Sequence, residues 1–192
     1  MKAKLIILSF FFILLISCSK GVTKVEPTDS TKASVDANFS PQDQIKIRDY
    51  MISSITKSDF FKSVYFKKTN PAWMRTYEME NETDENINTR AIIDEIRTKL
   101  INEIGITFID DQALTAILEQ QGLQQSDLFD NSKASKVGKM VGALIILRGQ
   151  ISNIQKKSDH TDINYYTIRL QAVGLETSKI IWTDEIQIGR NR

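Results

Sequence analysis

The chain has 192 residues, a length typical of one domain with short appendages, and its 25 Lys plus Arg almost balance its 24 Asp plus Glu. The formal net charge of +1 argues against a nucleic-acid-binding protein, because such binding depends on an excess of basic residues. One cysteine excludes a disulfide framework within the chain, and one histidine excludes a histidine-rich metal site.

The N-terminal residues 1–17 are predicted to be a lipoprotein signal peptide. Lys2 and Lys4 precede an almost wholly apolar run from Leu5 to Ile16. As a helix this run would be roughly 18 Å long, too short for the ~30 Å hydrocarbon core of a bilayer. A small residue followed by Cys18 completes a bacterial lipobox pattern, so we expect cleavage before Cys18 and lipidation of its thiol. The alternative is an ordinary secretory signal with an incidental cysteine, which the position of the only cysteine disfavours.

Residues 18–40 are predicted to be the lipidated cysteine and a flexible tether, because they are rich in Ser, Thr, Lys, Asp and small residues. Two or more acyl chains on the cysteine would anchor the protein stably to a membrane, where a single chain would not. Ser19 follows the cysteine, and no aspartate stands there. By the enteric sorting convention this favours the outer membrane, with the protein facing the periplasm.

The folded domain is predicted to span residues 41–192. Its first helix is expected to begin at Pro41, with Ser40 as the N-cap. Four residues give this helix an approximate apolar stripe, namely Ile45, Met51, Ile52 and Ile55.

The segment from Phe60 to Lys68 interleaves aromatic and apolar residues with lysines. We expect Phe61, Val64 and Tyr65 to pack beneath the sheet while the lysines stay in water. The alternative is an exposed amphipathic surface that contacts a partner or a lipid headgroup layer.

A strand from Trp73 to Met79 is predicted next, with Trp73, Tyr77 and Met79 on one face. An acidic, amide-rich loop from Glu80 to Asn88 follows it. A helix then starts at Asn88 or Thr89 and ends at Gly105. Its predicted buried stripe consists of Ile92, Ile93, Ile96, Leu100 and Ile104.

Three shorter elements are predicted after this helix. Ile106 to Ile109 forms a short strand, and Asp110 or Asp111 caps a helix that Gly122 closes. A further helix is expected to start at Ser132 and to end at Gly142. The stripe of the middle helix consists of Leu114, Ile117 and Leu118.

The last third of the chain is predicted to form strands. The apolar run from Ala143 to Leu147 indicates a central strand that is covered on both faces and continues toward Lys157. After a polar turn over 156–162, apolar residues alternate at Tyr166, Ile168, Leu170 and Ala172, and a second turn over 176–179 leads to a strand over 180–188. The predicted fold class is α/β or α+β, with a single mixed sheet flanked by helices and ending in a three-stranded antiparallel meander.

Motifs for catalysis are missing from the sequence. It has no Gly-rich phosphate loop, no nucleophile elbow and no metal-binding pair of histidines. His160 lies in a polar turn, where a solvated histidine is the simpler interpretation. We therefore expect a protein that is not an enzyme and needs no cofactor or metal.

The acidic loop is the candidate partner-binding site. It lies at a strand end, shows no evident role in the core, and carries carboxylates that would speed encounter with a basic surface. The residues of this predicted site are Glu80, Asn81, Glu82, Thr83, Asp84 and Glu85.

From Ser40 to Ile188 the chain resembles the LpoB family, the outer-membrane lipoprotein activators of bifunctional penicillin-binding proteins. The resemblance rests on the order of four markers. They are Asn81-Glu82-Thr83, the helix from Ala91 to Glu103 followed by Ile106-Thr107-Phe108-Ile109, the apolar strand from Gly142-Ala143 to Arg148-Gly149, and Leu175-Glu176-Thr177-Ser178-Lys179-Ile180-Ile181-Trp182.

This resemblance implies a fold like the N-terminal domain of TolB. It also implies a protein that binds the regulatory domain of a bifunctional penicillin-binding protein and stimulates peptidoglycan synthesis, with the lipid anchor holding it to the membrane. Separately, we expect residues 41–192 to fold as a monomer, because the apolar stripes that need partners all lie within that span. The alternative is a structural lipoprotein of an envelope assembly or secretion complex, similar to the curli-secretion lipoproteins.

Overall fold

Five strands form one mixed sheet in the computed structural model, which describes residues 38–63, 70–76, 78–158 and 161–191. Two short strands pair parallel with the same edge of the long third strand, and the third, fourth and fifth strands follow one another antiparallel. The predicted fold class is confirmed. The strands are β1 (Trp73–Arg75), β2 (Glu80–Glu82), β3 (Ile145–Ser158), β4 (Thr161–Gly174) and β5 (Lys179–Asn191).

Helices cover both faces of the sheet. One core lies between one face and the helices α1 and α3, and a second, smaller core lies between the other face and α4 and α5. In chain order, the helices are α1 (Pro41–Lys57), α2 (Asp59–Lys62), α3 (Thr89–Ile104), α4 (Asp111–Gln120), the 3-10 helix Gln125–Phe129 and α5 (Asn131–Val141).

The apolar run at the start of β3 feeds both cores, because successive side chains of a strand point to opposite faces. Ile145 and Leu147 are buried in the larger core and Ile146 in the smaller one. The central strand predicted from this run is therefore confirmed. The predicted alternation in β4 is also confirmed, since the larger core contains Tyr166, Ile168, Leu170 and Ala172.

The buried stripe of α1 differs from the predicted one. Met51 and Ile55 are buried as expected, but Ile45 is 40% exposed and Ile47 takes its place in the core. The buried positions follow a spacing of four residues, which places successive side chains on one side of a helix. Ser40 is the N-cap as predicted, and its side chain accepts a hydrogen bond from the Asp43 N–H.

Two predicted strands are shorter in the structure. The chain from Trp73 to Met79 forms a strand only at β1, and the expected loop begins with β2. Arg75 pairs with Leu147 and Glu80 with Gln150, so the pairing with β3 is interrupted between β1 and β2. The predicted strand over 106–109 is reduced to one parallel bridge between Trp73 and Phe108. Tyr77 lies outside the described residues.

Most helix boundaries follow from local capping. Asn88 and Asp110 cap α3 and α4 as predicted. The cap of α5 is Asp130, whose carboxylate accepts two backbone N–H hydrogen bonds, so the prediction of Ser132 was wrong. At the other end of α5, Gly142 has a φ of 75°, a left-handed conformation that glycine adopts without strain.

The first of the two predicted turns is shorter than expected, whereas the second, between β4 and β5, lies close to its predicted place. β3 runs to Ser158 and β4 starts at Thr161, so the strands extend into the predicted 156–162 turn.

Phe60 and Phe61 pack at the border of the larger core, whereas Val64 and Tyr65 lie outside the described residues. Trp182 is buried in β5.

Candidate functional site

The six residues of the predicted partner site divide between the two faces of the sheet. β2 pairs parallel with β3, with Glu80 opposite Gln150 and Glu82 opposite Ser152. The side chains of Glu80 and Glu82 therefore share one face, while Asn81 between them points to the other. All three residues of β2 are exposed.

Asn81 and Thr83 fold the loop back on itself. The Asn81 Oδ1 accepts hydrogen bonds from the Thr83 N–H at 3.0 Å and from the Thr83 hydroxyl at 2.7 Å. The Asn81 Nδ2 donates to the Glu85 carbonyl oxygen at 3.0 Å. These two residues shape the turn that joins β2 to Glu85.

Glu85 attaches the loop to the folded domain. One carboxylate oxygen accepts from the Phe39 N–H at 3.1 Å, and the other accepts from the Asn164 Nδ2 at 3.1 Å and from the Tyr166 hydroxyl. The half-buried carboxylate thus holds the loop, β4 and the start of the domain together. The sequence pattern gave no sign of this structural role.

Tyr166 supplies the buried end of this contact. Its ring is fully buried, and Phe39 packs against it edge-on with 5.6 Å between the ring centroids. Burial raises the pKa of the Tyr166 phenol far above its usual value, and the hydrogen bond to Glu85 raises it further. The phenol therefore stays protonated and keeps donating to the carboxylate.

Asp84 is tied to the neighbouring strand. The Asn153 Nδ2 donates to Asp84 Oδ1 at 2.7 Å and to Asn164 Oδ1 at 3.1 Å. Of the four acidic residues in the predicted site, Glu80 and Glu82 are thus the two whose carboxylates accept no hydrogen bond within the described part of the chain.

Beside Glu80, a shallow groove of about 230 Å³ crosses the sheet. The Arg148 guanidinium lies in it and donates to the Phe129 carbonyl oxygen at 2.8 Å. Burial lowers the pKa of the Arg148 guanidinium, and the Glu80 carboxylate opposes that shift. The groove is lined by Glu80, Phe129, Arg148, Gly149, Gln150, Arg169 and Gln171.

A second charged cluster lies inside the domain. Arg75 is 2% exposed, and its Nη2 is 2.7 Å from carboxylate oxygens of both Asp94 and Asp111. Arg97 pairs with the same two aspartates, at 3.1 and 2.8 Å. The cluster joins β1, α3 and α4, so Asp111 does more than mark the start of a helix. An arginine within an apolar strand was its sequence signal.

The described residues offer no metal site built from three or more His, Cys, Asp or Glu side chains. In the same ranges, no helix is long and apolar enough to cross a membrane. Cys18 and His160 both lie outside the part of the chain that the structure describes. The geometry of the predicted site thus has three features. They are the hydrogen bonds that Glu85 accepts from the domain, the exposed carboxylates of Glu80 and Glu82, and the groove next to Glu80.

A family model described as the peptidoglycan-synthase activator LpoB matches residues 43–188. That span runs from the first turn of α1 into the last residues of β5. No curated protein matches this chain in sequence.

Solved structures share this fold. The C-terminal domain of LpoB from Salmonella enterica gives a TM-score of 0.60 and 20% identity, covering 76% of this chain and 98% of that one. The NMR structure of Escherichia coli LpoB gives a TM-score of 0.53 and 17% identity, with coverages of 100% and 93%. Lipoprotein GNA1162 from Neisseria meningitidis gives 0.50 and 12%, with coverages of 63% and 83%. At these identities, the likeness establishes the fold alone.

Proposed function

Because the chain belongs to the LpoB family of peptidoglycan-synthase activators, we propose that it binds a bifunctional penicillin-binding protein and raises its activity. The observation that carries this proposal is the family match over residues 43–188, which includes the first four strands and most of β5. The protein acts by binding, without a catalytic step of its own.

The lipobox at Cys18 supports a position on the membrane. In this proposal the lipidated cysteine anchors the protein to the outer membrane, on its periplasmic side, and residues 19–38 link the anchor to the domain. A tether of this kind keeps the domain at a high local concentration near its partner.

Activation by such a protein follows from a difference in affinity. A non-catalytic partner raises the activity of a synthase only if it binds the active conformation more tightly than the inactive one. While the active state is rare, each tenfold gain in activity needs about 1.4 kcal/mol of that difference. The chain must therefore present a surface that distinguishes the two conformations.

The acidic loop contributes to this surface through some of its members. Glu80 and Glu82 point outward from β2, whereas Asn81, Thr83 and Glu85 hold the loop in shape. We place partner contact at Glu80 and Glu82 and a supporting role at the other three. Asp84, hydrogen-bonded to Asn153, lies at the border of the contact.

Cross-linking in living cells tests the partner. A bifunctional penicillin-binding protein is expected among the proteins cross-linked to this lipoprotein. Recovery of secretion or assembly components alone would overturn the activator proposal and favour the structural alternative. A cytoplasmic protein of similar abundance, cross-linked in parallel, serves as the control for nonspecific capture.

A further inference from the structure

Within the described ranges, helices cover the sheet face that carries Glu80 and Glu82 at one end only. α4 and α5 pack over Ile146 and Val173, where the smaller core lies. Beyond them, the register sets four rows of partly or fully exposed residues across β3, β4 and β5. The rows are Arg148–Gln171–Thr183, Gln150–Arg169–Glu185, Ser152–Thr167–Gln187 and Ile154–Tyr165–Gly189.

The last row is apolar and exposed. Ile154 is 72% exposed and Tyr165 is 39% exposed, and the two are register partners on adjacent strands. Register partners on one face of a sheet have Cβ atoms about 4.5–5.5 Å apart, so these two side chains lie side by side. A Cβ added at Gly189 would come within 3.3 Å of the Tyr165 ring, so the ring lies against the backbone of β5. The pair forms a firm apolar patch.

An acidic margin lies next to this patch. Glu82 is opposite Ser152, which is one pleat, about 7 Å, before Ile154 along β3. Glu80 lies one further pleat away on the same face. On the other side of Ile154 stands Lys156, so the negative charge of this surface lies on the β2 side of the patch.

We infer that Glu80, Glu82, Ile154 and Tyr165 form a docking surface for a protein that presents a lysine or arginine beside an apolar side chain. The apolar side chain lies over Ile154 and Tyr165, and the basic group meets Glu80 and Glu82. The complementarity of charge selects this occupant, since neither glutamate forms a salt bridge within the described ranges and the Arg148 guanidinium acts on Glu80 only from beyond salt-bridge distance. The inference rests on the proposed function, in which the partner is the penicillin-binding protein.

Substitution of the apolar pair tests the inference. The mature chain with Cys18→Ser stays in solution, and its affinity for the cell's own bifunctional synthase is measured by surface plasmon resonance. Ile154→Ser with Tyr165→Ser is expected to weaken binding about tenfold or more, as for central interface residues. Ile180→Ser is the matched control, because Ile180 is 53% exposed at the other end of the sheet, and it should leave the affinity unchanged.

The acidic margin is tested by charge reversal. Glu80→Lys with Glu82→Lys is expected to weaken binding and to reduce its dependence on salt. Glu119→Lys with Glu176→Lys makes the same change of charge at exposed positions away from this face and should do neither. Equal effects of the two double variants would overturn the role of the margin.

The outcomes separate this inference from the proposed function. If the unmodified chain does not bind the synthase, both fail. If the unmodified chain binds the synthase, the affinities of the Ile154/Tyr165 variant and of the single variant Ile154→Lys are compared with its affinity. If both variants bind as tightly as the unmodified chain, only the docking surface is overturned. The single variant keeps the test valid if the double variant fails to fold, because the Ile154 side chain is mostly in solvent and its replacement leaves the core intact. Self-association that the Ile154/Tyr165 variant abolishes would make the occupant a second copy and would also overturn the inference.

Discussion

At the scale of single residues, the contact between Glu85 and Tyr166 fixes the position of the acidic loop. The phenol is buried and donates to a carboxylate that also accepts from Asn164 and Phe39. A buried polar group that loses its partner costs the free energy of its desolvation, which is larger than the net gain from an ordinary hydrogen bond. This contact should therefore show in stability measurements.

Tyr166→Phe removes the donor and leaves the Glu85 carboxylate with one partner fewer. We expect the free energy of unfolding to fall by about 1–3 kcal/mol, measured by urea denaturation. Tyr165→Phe is the matched control on the neighbouring residue and should change it by less than about 0.5 kcal/mol, because its side chain is exposed. Equal effects would show that the phenol hydroxyl of Tyr166 has no structural role.

The raised pKa of Tyr166 predicts how this contribution depends on pH. Burial is the main cause, so the folded protein keeps the phenol proton where the unfolded chain, with a tyrosine pKa of about 10, loses it. The contribution is therefore complete below about pH 10 and is lost as the pH rises above that value.

Urea denaturation at a series of pH values checks this expectation. The stability difference between the unmodified protein and Tyr166→Phe should stay constant from about pH 7 to 9 and shrink above about pH 10. The comparison cancels the other tyrosines, which both proteins share. A difference that grows with alkaline pH would contradict the assigned direction of the pKa shift.

The residue pattern predicted the acidic loop but not its internal division. Glu85 differs from Glu80 and Glu82 through contacts with β4 and with Phe39, which are distant in sequence. In the same way, Arg75 was not singled out from the sequence, because its partners Asp94 and Asp111 belong to two later helices. Local spacing carries no information about such contacts.

At the scale of elements, α1 shows how one buried charge obscures a helical stripe. Its inward positions are Asp43, Ile47, Met51 and Ile55, each four residues after the last. Because aspartate is a polar residue, the sequence pattern leaves Asp43 out of the predicted buried stripe and includes Ile45 instead. The structure resolves the conflict, because Arg190 of β5 pairs with Asp43 at 2.7 Å and the same carboxylate closes the capping box with Ser40.

Asp43→Ala is expected to destabilise the protein by about 3–5 kcal/mol, since it leaves a largely buried arginine without its carboxylate. Thermal or urea denaturation measures the loss. Asp49→Ala removes an exposed aspartate of the same helix, which pairs with Arg48 at the surface, and should cost less than about 1 kcal/mol. A loss at Asp43 no larger than the loss at Asp49 would contradict the role of this pair.

Elements with strong periodicity and clear caps were predictable, and those decided by pairing were not. α3 and α4 match their predicted starts and most of their predicted stripes, although Ile104 and Ile117 are only partly buried. The predicted apolar run of β3 and the predicted alternation of β4 are both confirmed. The chain from Trp73 to Met79 alternates like one strand, but the register with β3 divides it after Arg75. The alternation of apolar and polar residues along one strand gives no information on where its hydrogen bonds to the neighbouring strand begin and end.

At the scale of the whole molecule, the start of the described domain and the proposed docking surface lie on opposite faces of the sheet. The chain enters the domain at Phe39, which packs against Tyr166 on the face covered by α1 and α3. The docking surface lies on the other face. Phe39, near the start of the described chain, thus lies on the face opposite to Ile154 and Tyr165.

Lipidation of Cys18 is the premise of this arrangement. Cells labelled with a radioactive fatty acid should incorporate the label into the unmodified protein, and Cys18→Ala should abolish it. Ser17→Ala keeps a small residue before the cleavage point and is the matched control, which should remain labelled. Label on the Cys18→Ala protein would contradict the assignment of the anchor.

The central claim is that this protein activates a peptidoglycan synthase by binding, and the most direct measurement is the rate of lipid II polymerisation. The cell's own bifunctional penicillin-binding protein is assayed alone and with a saturating amount of the mature chain carrying Cys18→Ser. We predict a faster rate with the chain present and no polymerisation by the chain alone. An unchanged rate at saturation, or polymerisation without the synthase, would contradict the account.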